Sequence, residues 1–228
     1  MGQWIKTDFG SIAFLDHHDP FPNTDQALIE PNGLIAISNT LKSERIIEAY
    51  KQGIFPWFNQ HEPILWWSPD PRLVLFPDDL KISSSLSKKI KKNDYQFEVD
   101  KNFLSVIKSC SEVKRKDQDG TWIDERMIIA YSELHQMKIA HSFEIYFNGN
   151  LVGGLYGIIL DDVFFGESMF HYKTDASKIA FVLAIQYLEN MGVKMIDCQM
   201  KTKHLLSFGA KEITRNHFIQ LLNTYIKT

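Results

Sequence analysis

Near the end of the chain, Met195-Ile196-Asp197-Cys198-Gln199-Met200 sets a carboxylate, a thiol and an amide side by side between apolar flanks. A thiol nucleophile is the first chemistry this suggests, and Cys198 is one of only two cysteines, the other being Cys110. On a strand, however, alternate side chains point to opposite faces. Met195, Asp197 and Gln199 then share one face, and Ile196 and Cys198 the other. A buried cysteine more often packs as a small hydrophobe. No histidine stands near Cys198 in sequence to activate it, although the fold can still bring a base close.

A second acid stands in FFGESMF, residues 164–170. Alternation puts Phe165, Glu167 and Met169 on one face and Phe164, Ser168 and Phe170 on the other. Glu167 is then either a solvated strand-end residue or a buried carboxylate that requires a partner. A third feature is cationic: Lys81 to Lys92, KISSSLSKKIKK, holds five lysines and no acid. On a helix starting near Ser83 or Ser84, Leu86 and Ile90 face inward while Lys88, Lys89, Lys91 and Lys92 spread outward. That face is either simply solvated or a contact for a phosphate backbone. The eight histidines show no metal-ligand spacing, and HExxH, CxxC, GxxxxGK[ST] and GxGxxG are all absent. The pair Gly153-Gly154, with Gly157, marks a bulge or a close backbone approach inside a strand.

The elements that must position these groups follow from periodicity and turn residues. Residues 140–170 read as three antiparallel strands, AHSFEIYF, LVGGLYGIIL and VFFGESMF, joined at Asn148-Gly149-Asn150 and Asp161-Asp162. A helix over 174–190 follows, capped by Thr174 or Asp175, with Ile179, Val182, Leu183 and Tyr187 inward. Then come a strand over 194–199, a short helix near 203–208 and an amphipathic segment from Asn216 to Ile226. Upstream, Tyr95–Val99 reads as a strand, Phe103–Ser109 as a helix, KRKDQDG (114–120) as a polar loop, and Asp124–Met137 as a helix. The first 70 residues read as irregular, with one helix from Ser43 to Gln52, Ser43 as its N-cap, and Ile46, Ile47, Ala49 and Tyr50 inward. In GIFPWFNQHEPILWWSPDPR, residues 53–72, four prolines forbid a regular helix. That loop carries Trp57, Trp66 and Trp67, either packed as a small core or standing as a stacking shelf for a nucleobase. The order of elements predicts an α+β fold with a mostly antiparallel sheet.

With 228 residues, 44% of them hydrophobic, the chain can bury a real core as one large domain or two small ones. A net charge of −3 argues against a wholly basic nucleic-acid coat and leaves local basic patches open. No apolar run reaches the ~18 residues needed to cross a bilayer. The start, MGQWIKTDFG, lacks a signal-peptide core and misses the myristoylation pattern at Lys6. Two cysteines are too few for a disulfide framework, so a reducing cytoplasm is the expected compartment.

Several longer segments point further. FPNTDQALIEPNGLIA (21–36), GIFPWFNQHEPILWWSPDPR (53–72), TWI (121–123), AHSFE (140–144), LVGGLYG (151–157), FFGESMF (164–170), ASK (176–178), IDCQ (196–199) and HLLSFGA (204–210) occur in that order. Together they closely resemble the bacterial leucyl/phenylalanyl-tRNA–protein transferases, over the chain from about Phe21 to Phe218. The resemblance implies an enzyme that moves Leu or Phe from aminoacyl-tRNA to the N-terminal amine of proteins beginning with Arg or Lys. The product would be an N-end-rule degradation signal. The implied fold is a small N-terminal domain, residues 1–70, before an acetyltransferase-like (GNAT-like) domain, residues 71–228. No cofactor and no metal are expected, and a cytoplasmic monomer is the default.

Carried over position by position, the resemblance gives Trp57 and Trp122 to the aminoacyl-adenosine end of the tRNA. It gives Leu155 and Met169 to the apolar pocket for Leu or Phe. Glu167, Asp197 and Gln199 would hold the acceptor's amine and basic side chain, with Asp197 and Gln199 as the catalytic pair. Lys88, Lys89, Lys91 and Lys92 fall where the family has a basic helix for tRNA. Two stretches depart from the family pattern: Ser38-Asn39-Thr40-Leu41-Lys42 replaces GGDLS, and His171-Tyr172-Lys173-Thr174-Asp175 replaces a Ser-Arg start and an Asn before ASK. Both bear on the pocket rim and on acceptor preference. The competing readings are a CoA-dependent acetyltransferase, for which no phosphate loop is present, a peptidoglycan-type aminoacyltransferase, and a tRNA-binding module without turnover.

Overall fold

A computed structural model describes residues 3–92, 94–113 and 123–227. Its elements in chain order are β1 (Gln3–Thr7), β2 (Gly10–Leu15), β3 (Leu34–Ser38), α1 (Ser43–Lys51), β4 (Phe55–Pro56), β5 (Ile64–Trp67), β6 (Arg72–Leu75) and α2 (Ser84–Lys91). They continue with β7 (Gln96–Val99), α3 (Phe103–Glu112), α4 (Glu125–Gln136), β8 (Ala140–Phe147), β9 (Asn150–Leu160) and β10 (Val163–His171). The chain ends through α5 (Ala176–Asn190), β11 (Met195–Gln199), α6 (Lys203–Ser207), β12 (Lys211–Ile213) and α7 (Arg215–Tyr225). The fold is α+β.

Strands β8, β9 and β10 form the expected antiparallel meander, turning at residues with positive φ, Asn148, Gly149 and Asp161. They belong to a seven-stranded sheet in the order β12-β6-β11-β10-β9-β8-β7, in which only the β10–β11 pair is parallel. Helix α5 is the crossover between those two strands. Its buried residues, among them Ile179, Val182, Ile185 and Leu188, cover one face of the sheet together with Leu86 of α2. Of the residues expected inward on α5, Leu183 is only half-buried and Tyr187 is exposed, although its ring lies edge-on to Phe143. Asp175 is the cap residue of α5, but it lies in the left-handed region at φ 66° and makes no side-chain capping bond. Its carboxylate is drawn instead to Lys89 and Lys178.

The opposite face is covered by α1, α3, α4 and α7, and here the first 70 residues differ from the irregular segment expected. They form a five-stranded sheet in the order β1-β2-β3-β5-β4, whose residues Ala36, Phe55, Ile64 and Trp66 join the same core as Tyr131, Tyr156 and Phe165. The prolines exclude helix, as expected, but leave room for the short strands β4 and β5. The cap of α1 also differs: Lys42 is the boundary residue, and Ser43 begins the helix and donates its hydroxyl to Glu133 of α4.

The glycines of β9 mark close approach rather than turns. A Cβ on Gly153 would fall 2.6 Å from Cβ of Ala176, and one on Gly157 2.2 Å from the carbonyl oxygen of Phe165. The first lets α5 start against the sheet, and the second lets β10 lie close where its pattern breaks.

Candidate active site

That break sets up the site. Strands β10 and β11 pair in parallel only from Val163–Phe165 to Met195–Asp197. Beyond, β10 bulges between Gly166 and Ser168, and β11 shifts register between Asp197 and Gln199. The two strands therefore splay, and a cleft of about 530 Å³ opens between them, lined by residues 166–169 and 196–202 and by Phe55, Trp57, Leu155, Phe181, His204 and Leu205. Bulges re-aim side chains in this way beside functional sites.

Because Glu167 takes the bulged position, simple alternation fails along β10. Phe165 and Phe170 pack into the core shared with the N-terminal sheet, while Phe164 and Met169 pack on the α5 side. Glu167 and Met169 thus do not share a face as alternation predicted. In β11 the predicted division holds, with Met195 on the first side and Ile196 and Cys198 on the α5 side.

Two acids meet at the splay, Asp197 buried and Glu167 half-buried. Asp197 is fully buried and held by Arg72 in a two-pronged pair, Nε to Oδ1 at 2.8 Å and Nη2 to Oδ2 at 2.6 Å. Arg72 is fully buried too; its Nη1 donates to the Gly53 carbonyl at 3.2 Å, and its guanidinium lies 4.6 Å from the ring centres of both Phe55 and Phe218. The Gln199 backbone N–H donates to Asp197 Oδ1 at 2.9 Å, which the left-handed backbone of Gln199 (φ 60°) makes possible. The acid is thereby committed to Arg72 and to the backbone of Gln199.

Among the described residues, no cation is bonded to Glu167. Its carboxylate accepts from the Tyr50 hydroxyl, and Tyr131 Oη lies 3.4 Å from that of Tyr50. Burial pushes its pKa up to about 8, against the pull of the hydrogen bonds from Tyr50 and Tyr131. The Gln199 side chain joins this group by donating Nε2–H to Tyr50 Oη at 3.3 Å. Burial and the Glu167 charge in turn raise the hydroxyls of Tyr50 and Tyr131 well above their usual range. Burial raises the Cys198 thiol far above its ordinary value, with the Asp197 charge adding to it, so Cys198 is no thiolate nucleophile.

The remaining walls are apolar or aromatic. Met169 and Leu155 are directly paired across β10 and β9, and Phe164, Phe181, Ile196 and Leu205 extend their surface. Trp57 is half-buried at the rim, 5.7 Å from Trp67, whose Nε1–H donates to the Trp57 carbonyl at 2.6 Å. Trp66 is a core residue, bonded through Nε1 to Ser38 Oγ at 2.9 Å. Trp57 and Trp67 are half-buried against the same core, so Trp66 is the fully packed ring of the three.

Family models described as leucyl/phenylalanyl-tRNA protein transferase match residues 74–223, and residues 39–70 for its N-terminal domain. A leucyl/phenylalanyl-tRNA–protein transferase of Nitrosomonas europaea is 60% identical over 212 residues, 93% of this chain and 89% of that protein. One of Nitrosospira multiformis is 54% identical over 215 residues, covering 94% and 92%. The chain belongs to the leucyl/phenylalanyl-tRNA–protein transferase family. It is accordingly an aminoacyltransferase. Among solved structures, a GCN5-related N-acetyltransferase from Kribbella flavida overlaps 77% of this chain and 62% of that one, at 10% identity and a TM-score of 0.37.

The cleft brings together Trp57, Leu155, Glu167, Met169, Asp197 and Gln199, six of the residues singled out from the sequence. Trp122 lies outside the described residues. Lys88, Lys89, Lys91 and Lys92 lie outside the cleft on the exposed side of α2, with Ser83 as N-cap and Leu86 buried, as the spacing predicts. Sequence reasoning missed Arg72 altogether and took Tyr50 as plain core. The one signal for Arg72 was a lone cation at the head of an apolar strand, RLVLF. Its partner stands 125 positions away, which no spacing rule detects. No helix among the described residues is long and apolar enough to cross a membrane.

Proposed function

We propose that the enzyme transfers Leu or Phe from Leu-tRNA or Phe-tRNA to the N-terminal amine of proteins beginning with Arg or Lys, marking them for degradation in the cytoplasm. The observation that carries this reading is the pairing, within one cleft, of an apolar wall with a half-buried carboxylate to which no cation is bonded among the described residues. The Leu155–Met169 wall suits a Leu or Phe side chain, whose enclosure is worth ~1.5–3 kcal/mol that a small or charged residue does not gain. Glu167 suits the guanidinium or ammonium of the acceptor. A cation docking beside it lowers its raised pKa, ionises it and forms a charge-assisted hydrogen bond.

The chemistry asks little of the protein beyond placement. An α-amino group has a pKa near ~8, so part of it is neutral at cellular pH. Its nitrogen attacks the ester carbonyl, the bond to the ribose oxygen breaks, and the amine's proton ends on that oxygen, passed by the neighbouring ribose hydroxyl. Gln199 and Asp197 orient the amine, and the negative charge of Asp197, fixed by Arg72, favours the ammonium that develops on attack. Trp57, with Trp122, frames the terminal adenosine, and the lysines of α2 meet the phosphates of the tRNA. In this reading residues 1–70 form the smaller domain and 71–228 the catalytic one, in keeping with the change of sheet between Trp67 and Arg72.

The test is transfer of labelled Phe or Leu from its tRNA to peptides beginning with Arg, Lys, Asp or Glu. Products only on the Arg and Lys peptides are expected. Equal transfer to the acidic peptides, or none to any, would overturn the reading.

A further inference from the structure

The cleft is lined by a buried polar atom that the chemistry above does not use and that no protein group satisfies among the described residues. Nε2 of His204, on α6, is buried and meets no hydrogen-bond partner among the described residues, although the side chain lines the cleft. The polar groups at the centre of the cleft are engaged: Asp197 with Arg72, and Glu167 and Gln199 with Tyr50. The ring of His204 is held edge-on to Phe208, centres 5.1 Å apart at 88°, and Thr202 caps the turn that carries it. Burial lowers its pKa, and the charges of Lys178 and His171 lower it further, so the imidazole is neutral at cellular pH and keeps a lone pair. A buried nitrogen without a partner is destabilising, because its desolvation is uncompensated. At a functional site, such a group points to a bond that a ligand completes.

The position of His204 indicates which substrate that is. Its neighbours on the wall, Leu205 and Phe181, belong to the α5-side core together with Leu155 and Met169. The carboxylate given to the acceptor, Glu167, is bonded instead to Tyr50 of the opposite core. Beside its ester, an aminoacyl-tRNA offers two hydrogen-bond donors, the free α-amino group and the ribose hydroxyl next to the ester. We infer that His204 is a donor-positioning residue whose Nε2 accepts a hydrogen bond from the aminoacyl-ribose end of the tRNA. This rests on the transfer reaction proposed above.

The experiment measures transfer to an Arg-peptide by wild type, His204→Phe and His204→Gln, with matched thermal melts to establish folding; His204→Ala serves if the Phe variant does not fold. His204→Phe should raise KM for Phe-tRNA about tenfold, the equivalent of ~1.4 kcal/mol, and leave kcat and the peptide KM within twofold. His204→Gln, which keeps a polar tip, should recover most of the loss. Two altered donors identify the group: 3-phenylpropionyl-tRNA lacks the α-amino group, and Phe-tRNA ending in 2′-deoxyadenosine lacks the hydroxyl. Read in the donor KM, the donor lacking the partner should cost wild type about tenfold and His204→Phe nothing further, whereas loss of the proton-passing hydroxyl lowers kcat alike in both. A donor KM unchanged in the Phe or Ala variant, a rise confined to the peptide KM, or equal rises in donor KM in wild type and variant with both altered donors would overturn the inference. Failure of wild type to transfer Phe to the Arg-peptide would instead overturn the proposed reaction.

Discussion

The two acids at the splay of β10 and β11, Asp197 fully buried and Glu167 half-buried, are met by the protein in opposite ways. Asp197 is matched by a full cation in a two-pronged pair. Glu167 is met by phenolic hydroxyls and carries a pKa raised to about 8. The first is a fixed charge, set when the protein folds. The second is a conditional charge, which a cationic substrate can call up on arrival. A site that must bind positive groups and release them after reaction gains from having one of each.

Removing the partner of the fixed charge should have the largest effect. Arg72→Met leaves Asp197 buried without its cation, and a loss of about 3–5 kcal/mol in urea unfolding is expected, with transfer activity falling with it. If Arg72→Met is as stable as wild type, Asp197 is not the fixed charge described.

The conditional charge should respond differently. Glu167→Gln keeps the shape and is expected to lower kcat/KM for an Arg-peptide about 100-fold, or ~2.7 kcal/mol, at little cost to folding. The pH dependence sharpens the contrast. A carboxyl whose folded pKa lies above its unfolded value keeps its proton longer in the native state, so the native protein binds more protons between the two values. Wild-type stability should therefore fall as pH rises from about 4.5 towards about 8, and Glu167→Gln should remove that part of the slope. An unchanged slope in the variant would show that Glu167 is not the titrating group.

Charges at the surface should matter less. Lys88→Ala with Lys91→Ala is expected to raise the donor KM a few-fold and to reduce the salt dependence of tRNA binding by roughly one to two counterions, with the peptide KM unchanged. Cys198→Ala should have the smallest effect, under twofold in rate, because the half-buried thiol has its pKa raised and stays protonated. A large loss of rate there would return the thiol to the chemistry.

What the sequence discloses about this molecule follows from how local each feature is. The meander, α5 and β11 rest on alternation, helical period and turn residues within a few positions, and all are found where those signals put them. The N-terminal sheet rests on long-range pairing of short strands, including the parallel register of β2 with β3 and a β4 of two residues, and leaves no periodic trace. The site divides along the same line. Asp197 and Gln199 are visible as neighbours on one strand, whereas the bulge that displaces Glu167 from the Met169 face is marked in FFGESMF only by Gly166, which does not say which side chain it re-aims. Arg72 and Tyr50 become site residues only once distant strands and helices are packed together.

The Arg72 guanidinium does more than neutralise an acid. It starts on β6, bonds to β11, donates to the Gly53 carbonyl between α1 and β4, and lies against rings from β4 and α7. The N-terminal sheet, the large sheet and the last helix thus converge on one side chain at the floor of the cleft. No subset of the chain can assemble a working site while the rest is melted. Heat inactivation of this enzyme should therefore coincide with cooperative unfolding of the whole molecule, without an earlier stage in which only the active site is lost.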